Sequence, residues 1–150
     1  MGGRALIVAL IALGVVLAGA VVIGVVTSGG PPEVASLEEL QEQEVLFLDE
    51  HKIYLVYNDG DPLALSADAQ HIGDDVEFCP SSQMFESPAH AEMFDIHGYY
   101  YGGPAMRGLD RYPVRMEGDG VYVDVGRPIQ GPERGEGPPI EPQGPLCNPG

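Results

Sequence analysis

The feature that most constrains this chain is an apolar run of 22 residues near its N-terminus, at positions 5–26. No charged residue interrupts it, and a helix of this length crosses the ~30 Å hydrocarbon core of a bilayer. The sequence therefore predicts a single transmembrane helix at residues 5–26. The alternative is a cleaved signal peptide with a small-residue site at 18–20. The run continues well beyond that site, which favours an uncleaved anchor.

Charge is distributed very unevenly on the two sides of this run. Arg4 is the only charged residue before it, whereas all 23 acidic residues and all the other basic residues lie from Glu33 onward. By the positive-inside rule, residues 1–4 are expected in the cytoplasm and the acidic part outside the cell membrane. The net charge of −16 argues against nucleic acid as a partner. The acidity itself is consistent either with docking of a basic partner or with adaptation to high salt.

The soluble part is predicted to consist of a linker, one domain and a tail. Residues 27–36 form the predicted linker. Ser36 and Glu39 fit a capping box, which predicts a short helix at Leu37–Gln43. Short apolar segments between turn residues predict a mainly β domain, a small antiparallel sandwich or barrel, over residues 37–125. The predicted strands are 45–48, 53–57, 63–66, 76–78, 84–85, 93–94, 114–116 and 121–125.

The C-terminal tail, residues 126–150, has a different composition from the domain. It contains 7 Pro and 6 Gly. Such a segment cannot build a core of its own and is normally disordered. An ordered tail would therefore have to be held by this domain or by a neighbouring subunit.

Three segments of the domain resemble a known family. Residues 69–74 read AQHIGD, residues 87–95 read SPAHAEMFD, and residues 103–106 read GPAM. They resemble the two cluster-binding loops and the proline loop of the Rieske [2Fe–2S] domain, in particular the membrane-anchored type of cytochrome bc-type respiratory complexes. The resemblance covers about residues 45–125 and implies a mainly β, Rieske-like domain behind a single transmembrane helix.

Of the four ligand positions of the family, the two histidines are present and the two cysteines are replaced. A Rieske cluster needs two thiolates on one iron and two imidazoles on the other. The histidine positions are His71 and His90, but the cysteine positions read Ala69 and Ser87. Alanine cannot bind iron, and a hydroxyl is a poor substitute for a soft thiolate. The resemblance thus implies a degenerate form in which His71 and His90 are vestigial ligand positions and no cofactor is expected.

Four further family positions also differ. Asp74 and Ala89 stand where related respiratory proteins often carry a disulfide between the two loops. Ala91 and Glu92 replace the Gly and Ser that follow the second histidine. The site therefore differs from the family pattern at many positions, whereas the sequence around it still resembles the family.

Other roles for the two histidines stay open. Two imidazoles suit zinc or copper, so His71 and His90 could hold another metal. Acidic residues near them in sequence could complete the shell: Asp74, Asp75, Glu86 and Glu92. The two histidines could also hold a haem between their imidazoles, but the sequence has no CxxCH motif for covalent haem attachment. We favour inherited loop histidines, with no catalytic residue and no bound metal.

The 2 cysteines, Cys79 and Cys147, lie in neither ligand position. A domain outside the cytoplasm would allow them to form a disulfide, which would hold the tail over the former cluster site. Two free thiols or intermolecular bridges are the alternatives.

The sequence as a whole predicts a protein that is not an enzyme by itself. The leading hypothesis is a non-catalytic, accessory Rieske-fold subunit of a membrane-bound respiratory electron-transport complex. It would act in assembly, stability or docking of a redox partner. Transmembrane subunits of that complex are the expected partners, with a c-type cytochrome as a candidate. The alternatives are an electron-transfer protein with an iron–sulfur or altered metal site at His71 and His90, and a free-standing membrane-tethered binding module.

Overall fold

The computed structural model describes residues 30–69, 71, 73–137 and 139–149. The predicted cytoplasmic residues 1–4 and the predicted membrane span at 5–26 lie outside these residues. Within the described part of the chain, no helix is long and apolar enough to cross a bilayer.

The described residues form one α-helix, one 3₁₀ turn at Asp49–His51 and eleven short strands. In chain order the helix and strands are β1 (Glu33–Ser36), α1 (Leu37–Gln43), β2 (Val45–Leu48), β3 (Ile53–Val56), β4 (Leu63–Ser66), β5 (Glu77–Cys79), β6 (Met84–Glu86), β7 (Met93–Asp95), β8 (Tyr100–Gly102), β9 (Arg111–Tyr112), β10 (Val114–Glu117) and β11 (Gly120–Val123).

The strands make three antiparallel sheets, with the orders β1-β11-β10, β2-β3-β4-β9 and β5-β6-β7-β8. The prediction of a mainly β, antiparallel domain is confirmed. The bounds of α1 are also confirmed, because the Glu39 backbone N–H donates to the Ser36 hydroxyl oxygen (3.1 Å) and caps the helix.

Strand β3 explains why the sheets stack in layers. All four of its residues are buried, and successive side chains in a strand point to opposite faces. Ile53 and Leu55 pack with Leu40 of α1 and with β11 in one core. Tyr54 packs with Phe85 of β6 in a second core. The β2-β3-β4-β9 sheet therefore lies between the other two sheets, and the second core supports the loops that carry the histidines.

Three strands differ from the sequence prediction. β1 lies inside the predicted linker, where Val34 and Ala35 pack against the first core. β8 and β9 were not predicted, because they are only three and two residues long and have no alternating apolar pattern. Strands this short are defined by the neighbours they pair with rather than by their own composition.

The described part of the tail is ordered along the surface of the domain. Ile129 and Arg111 exchange backbone hydrogen bonds of 2.9 and 2.7 Å, and Glu133 forms an isolated bridge with Arg107. A disulfide joins Cys147 to Cys79. Because these contacts are all with residues of the same chain, the domain itself can hold a segment whose composition alone predicts disorder.

Candidate functional site at the two histidine loops

Both histidine loops are closed hairpins of the same size. In the first, residues 69–74, the Ala69 N–H donates to the Asp74 carbonyl oxygen (2.7 Å). In the second, residues 87–92 between β6 and β7, the Ser87 N–H donates to the Glu92 carbonyl oxygen (2.8 Å). The positions where the family has its ligand cysteines thus lie at the base of each loop, next to the sheet.

The folded chain brings the two predicted histidines together. The ring centres of His71 and His90 are 6.2 Å apart, with their planes at 65°. Both residues are exposed. Asp74 of the first loop and His90 of the second are hydrogen-bonded between Oδ2 and Nδ1. This polar contact links the loops at one of the two positions that, by the resemblance, would carry the connecting disulfide.

Neither former cysteine position offers a metal ligand. Ala69 is 1% exposed and belongs to the core. Ser87 is also 1% exposed, and its hydroxyl oxygen accepts a hydrogen bond from the His90 N–H (3.2 Å). Two imidazoles without thiolates do not match the donor set of a [2Fe–2S] cluster, so the residues present do not fit that group.

Glu92 is the residue of this site that sequence reasoning undervalued. Its side chain is completely buried, and neither carboxylate oxygen has a hydrogen-bond partner in the described part of the chain. Burial raises the pKa of Glu92, while His71 and His90 act in the opposite direction and Asp74 adds to the increase. The available signal was its position, two residues after His90, where the family has Ser.

The other acidic residues considered as ligands have different partners. Asp75 forms an ion pair with Lys52. Glu86 accepts hydrogen bonds from the Ser82 hydroxyl (2.7 Å) and the Asn148 N–H (2.7 Å). Asp74 is paired with His90. Of the four candidate carboxylates, only Glu92 is therefore left without a hydrogen bond in the described residues.

The second loop contains a residue with a left-handed backbone. Ala91, where the family has Gly, has a φ of 54°, a left-handed conformation that costs a non-glycine residue energy. The proline loop packs directly against it, since a Cβ atom at Gly103 would lie 2.4 Å from the Ala91 carbonyl oxygen. The two loops therefore form one packed unit.

Arg134 of the tail holds the proline loop from the other side. Its guanidinium donates to the carbonyl oxygens of Ala105 (2.7 Å) and Gly103 (2.9 Å) and lies 4.2 Å from the ring centre of Tyr100. Sequence reasoning did not identify Arg134, because its partners are about thirty residues away along the chain. The tail thus supports the site without entering it.

The disulfide joins the two cysteines considered from the sequence, with a Cα–Cα distance of 5.8 Å. Cys79 ends β5, before the turn to β6, and the second histidine loop follows the other end of β6. The bridge holds the tail along this short hairpin, where the Asn148 N–H donates to Glu86, the residue before Ser87. Glu86 lies close to both sulfur atoms, but sulfurs in a disulfide are not thiolates and this group is not a metal site.

Known proteins support this description. No family model matches the sequence. It is 26% identical over 82 residues to the cytochrome b6-f complex iron-sulfur subunit of Chlorobaculum thiosulfatiphilum, covering 55% of this chain and 45% of that protein. The chain thus spans about half the length of the curated relative it matches.

A solved structure, that of PetC3, shows the same architecture. The cyanobacterial plasma membrane Rieske protein PetC3 from Synechocystis PCC 6803 aligns with a TM-score of 0.54 and 23% identity, over 62% of this chain and 98% of that one. The ferredoxin of carbazole 1,9a-dioxygenase from Nocardioides aromaticivorans IC177 aligns with a TM-score of 0.49 and 23% identity, over 63% and 97%. The strand layers, the paired histidine loops and the likeness to PetC3 lead to one conclusion: this chain contains a Rieske-like domain.

Proposed function

We propose that this protein is a non-catalytic Rieske-fold subunit of a membrane-bound electron-transfer complex, and that it has lost the iron–sulfur cluster. The observation that carries this proposal is the composition of the site. Two buried positions that would need thiolates hold Ala69 and Ser87, and Glu92, two residues after His90, is a buried carboxylate.

No cysteine elsewhere in the chain is available to replace the missing ligands. The sequence contains 2 cysteines, and they are joined to each other as Cys79–Cys147. Iron–sulfur clusters are held by thiolates, and a disulfide provides none. A cluster bound by His71 and His90 alone would leave its second iron without protein ligands.

The assignment to a membrane complex rests on three supporting facts. The matched relative is named as a subunit of the cytochrome b6-f complex, and the aligned structure is described as a plasma membrane Rieske protein. The apolar run at residues 5–26 is long enough for a membrane anchor. In this proposal the domain lies outside the cytoplasm, with transmembrane subunits and a c-type cytochrome as its partners.

The tip of the domain is suited to docking in this role. Met106 of the proline loop is 68% exposed, beside two exposed histidine loops. The Asp74–His90 pair and the Arg134 hydrogen bonds fix the shape of the loops that form this tip. Its function would be to place a rigid surface against a neighbouring subunit.

Metal analysis of the purified full chain tests the loss of the cluster. We expect neither stoichiometric iron nor acid-labile sulfide, and no Rieske-type paramagnetic signal after reduction. A cluster-containing Rieske protein produced in the same host is the positive control. Stoichiometric iron and sulfide together with that signal in this protein would overturn the proposal.

Extraction in mild detergent tests the assignment to a complex. We expect the chain to co-purify with transmembrane redox subunits and to elute well above its own mass of 15.9 kDa. Recovery only as a lone chain from its native membrane would instead support a free-standing, membrane-tethered binding module.

A second candidate function is electron transfer through an altered metal site at His71 and His90. The observation that favours it is the pairing of the two imidazoles, whose ring centres lie 6.2 Å apart, because imidazole is a common ligand of zinc, copper and iron. Voltammetry of the protein with its native metal content distinguishes the two functions. A reversible metal-centred wave would support electron transfer, and its absence supports the accessory role.

A further inference from the structure

The tail meets the hairpin of β5 and β6 on the face that is turned away from the core. Phe78 and Phe85 pair across the two strands and pack into the second core. Because side chains alternate along a strand, Cys79 and Glu86 point to the opposite face. The disulfide brings Cys147 of the tail to this face, beside the Glu86 side chain, which is 1% exposed.

Three potential ligand atoms are close together at this point. The sulfur atoms of Cys79 and Cys147 and a carboxylate oxygen of Glu86 all lie within 4.8 Å of one another. As a disulfide the group is not a metal site, because its sulfurs are not thiolates. Reduction would place two thiolates beside a carboxylate. Three negative charges at this distance repel one another, and a divalent cation removes that repulsion.

The Glu86 carboxylate is held as ligating carboxylates in metal sites usually are. One oxygen accepts a hydrogen bond from the Ser82 hydroxyl (2.7 Å), and the other accepts one from the Asn148 N–H (2.7 Å). Such hydrogen bonds fix the orientation of a ligand. Each oxygen of an ionised carboxylate has two lone pairs, so each keeps one that can bind an ion.

The tail is also held next to the hairpin by contacts that do not depend on the bridge. The Gln143 N–H donates to the Ser82 carbonyl oxygen (2.9 Å), and the Ser81 hydroxyl donates to the Pro145 carbonyl oxygen (2.7 Å). None of these groups is changed by reduction of the disulfide. Cys147 would therefore stay close to its former partner as a thiol.

The bridge is accessible to a reductant from the side of the tail. Cys147 is exposed, whereas Cys79 is buried, and exposed disulfides are the more easily reduced ones. A dithiol would attack the Cys147 sulfur, releasing the Cys79 thiolate, and its second thiol would then displace Cys147. The bridge gains two electrons and two protons, the reductant leaves as a disulfide, and metal binding releases the two thiol protons.

We propose that Cys79, Cys147 and Glu86 bind a single divalent ion of the zinc class when the bridge is reduced. The tail is then fixed to the hairpin either by the disulfide or by the ion. A zinc–sulfur bond is ~2.3 Å, which puts two sulfurs on a tetrahedral ion ~3.8 Å apart. The Cα atoms are 5.8 Å apart, so rotation of the two side chains is enough to reach this separation.

Thiolates and a carboxylate are all ligands that zinc takes in proteins, and water would fill the fourth position. Mg²⁺ and Ca²⁺ prefer shells made of oxygen atoms and are not expected to bind. The site contains neither His71 nor His90, and it does not depend on the proposed function.

Zinc titration of the chelator-treated full chain in detergent, in its oxidised and reduced forms, is the experiment. The reduced form is prepared with a phosphine under nitrogen and desalted before use. Isothermal titration calorimetry should show one more Zn²⁺ per chain in the reduced protein than in the oxidised one. Co²⁺ should give a thiolate-to-metal charge-transfer band only in the reduced protein, and a site made of histidines would not give this band. Mg²⁺ should give no heat.

Two variants test the ligands. Reduced Glu86→Gln should bind the additional Zn²⁺ at least ~10-fold more weakly than the reduced wild type, because it loses a direct ligand. The matched control is Glu38→Gln, which changes an exposed carboxylate of α1 and should leave the affinity unchanged. Cys147→Ser keeps Glu86 but provides one thiolate, and it should also bind at least ~10-fold more weakly.

Circular dichroism separates loss of binding from misfolding. Oxidised Glu86→Gln keeps the bridge, so its spectrum should match that of the wild type before reduction. Zn²⁺ should raise the unfolding temperature of the reduced wild type and of reduced Glu38→Gln more than that of reduced Glu86→Gln.

Two results would overturn this inference. One is the same zinc stoichiometry in the oxidised and reduced protein, which means that the thiolates form no site. The other is equal zinc affinity in the reduced wild type and reduced Glu86→Gln, which means that the carboxylate is not a ligand. Neither result bears on the loss of the cluster, which the iron and sulfide analysis tests separately.

Discussion

Two buried glutamates, one on each side of the second histidine loop, have opposite environments. Glu86 is 1% exposed and receives hydrogen bonds from Ser82 and from Asn148 of the tail. Glu92 is 0% exposed and has no hydrogen bond in the described part of the chain. The two side chains have the same chemistry and equal burial, so the difference lies entirely in what the fold supplies around them.

This difference separates two neighbouring groups of residues. In the group that we call the tail anchor (Cys79, Ser82, Glu86, Cys147 and Asn148), the side chains are bridged or hydrogen-bonded to other residues of the chain. In the group that we call the histidine end (the loops 69–74 and 87–92), a carboxylate is buried without a partner in the described residues. A buried charge that keeps its hydrogen bonds avoids much of the desolvation cost that an unsatisfied one carries.

Removing the disulfide of the tail anchor should lower the free energy of unfolding more than any of the substitutions that follow. The substitution Cys147→Ser should lower the free energy of unfolding by about 2–4 kcal/mol, because the bridge spans 68 residues and restricts the unfolded chain. Urea denaturation monitored by circular dichroism measures the change. As a control, the double variant Cys79→Ser/Cys147→Ser should be no less stable than the single variant. If the stability of Cys147→Ser equals that of the wild type, the tail anchor does not depend on the bridge.

Exchanging the two glutamates for glutamine tests the contrast directly. Glu86→Gln should cost about 1–3 kcal/mol, since the amide nitrogen cannot accept a hydrogen bond and the charge is lost. Glu92→Gln should cost nothing and is the matched control. Chemical denaturation of the metal-free proteins gives both values. Equal losses in the two variants would mean that Glu92 is as well paired as Glu86.

Shortening Arg134 tests how far the tail supports the histidine end. Arg134→Met keeps the apolar stem of the side chain and removes the hydrogen bonds to the proline loop. We expect a loss of about 1–2 kcal/mol and faster proteolysis of the tail between the loop contact and the disulfide. Arg127→Met is the control, because Arg127 pairs only loosely with Asp124 at 3.7 Å. An equal, small effect in both variants would mean that the hydrogen bonds of Arg134 do not hold the tail to the proline loop.

Restoring a glycine in the second loop should have the smallest effect. Ala91 has a left-handed backbone, so Ala91→Gly should raise the free energy of unfolding by about 0.5–1 kcal/mol. Denaturant midpoints of the two proteins are the measurement. A loss of stability would mean that the Ala91 methyl group makes packing contacts worth more than the backbone strain.

The sequence predicted local features well and long-range pairs poorly. The capping box at Ser36 and Glu39 placed α1 correctly because capping acts within one turn. β9 was not predicted, because a strand of two residues is too short to show an alternating apolar pattern. One long-range pair was accessible, because the chain has only 2 cysteines, and the considered bridge between Cys79 and Cys147 is present. The strands along which this bridge holds the tail follow from pairing between distant segments.

The sequence by itself determined the Rieske-like identity of the two loops, the positions of His71 and His90, and the absence of cysteines beside them, since these are matters of residue type and spacing. Only the tertiary structure decided which buried carboxylate is left without a hydrogen bond. Glu86 is satisfied by Asn148, 62 residues away, and Glu92 by no described residue. Burial and pairing depend on groups that are brought together from distant parts of the chain, and no local pattern encodes them.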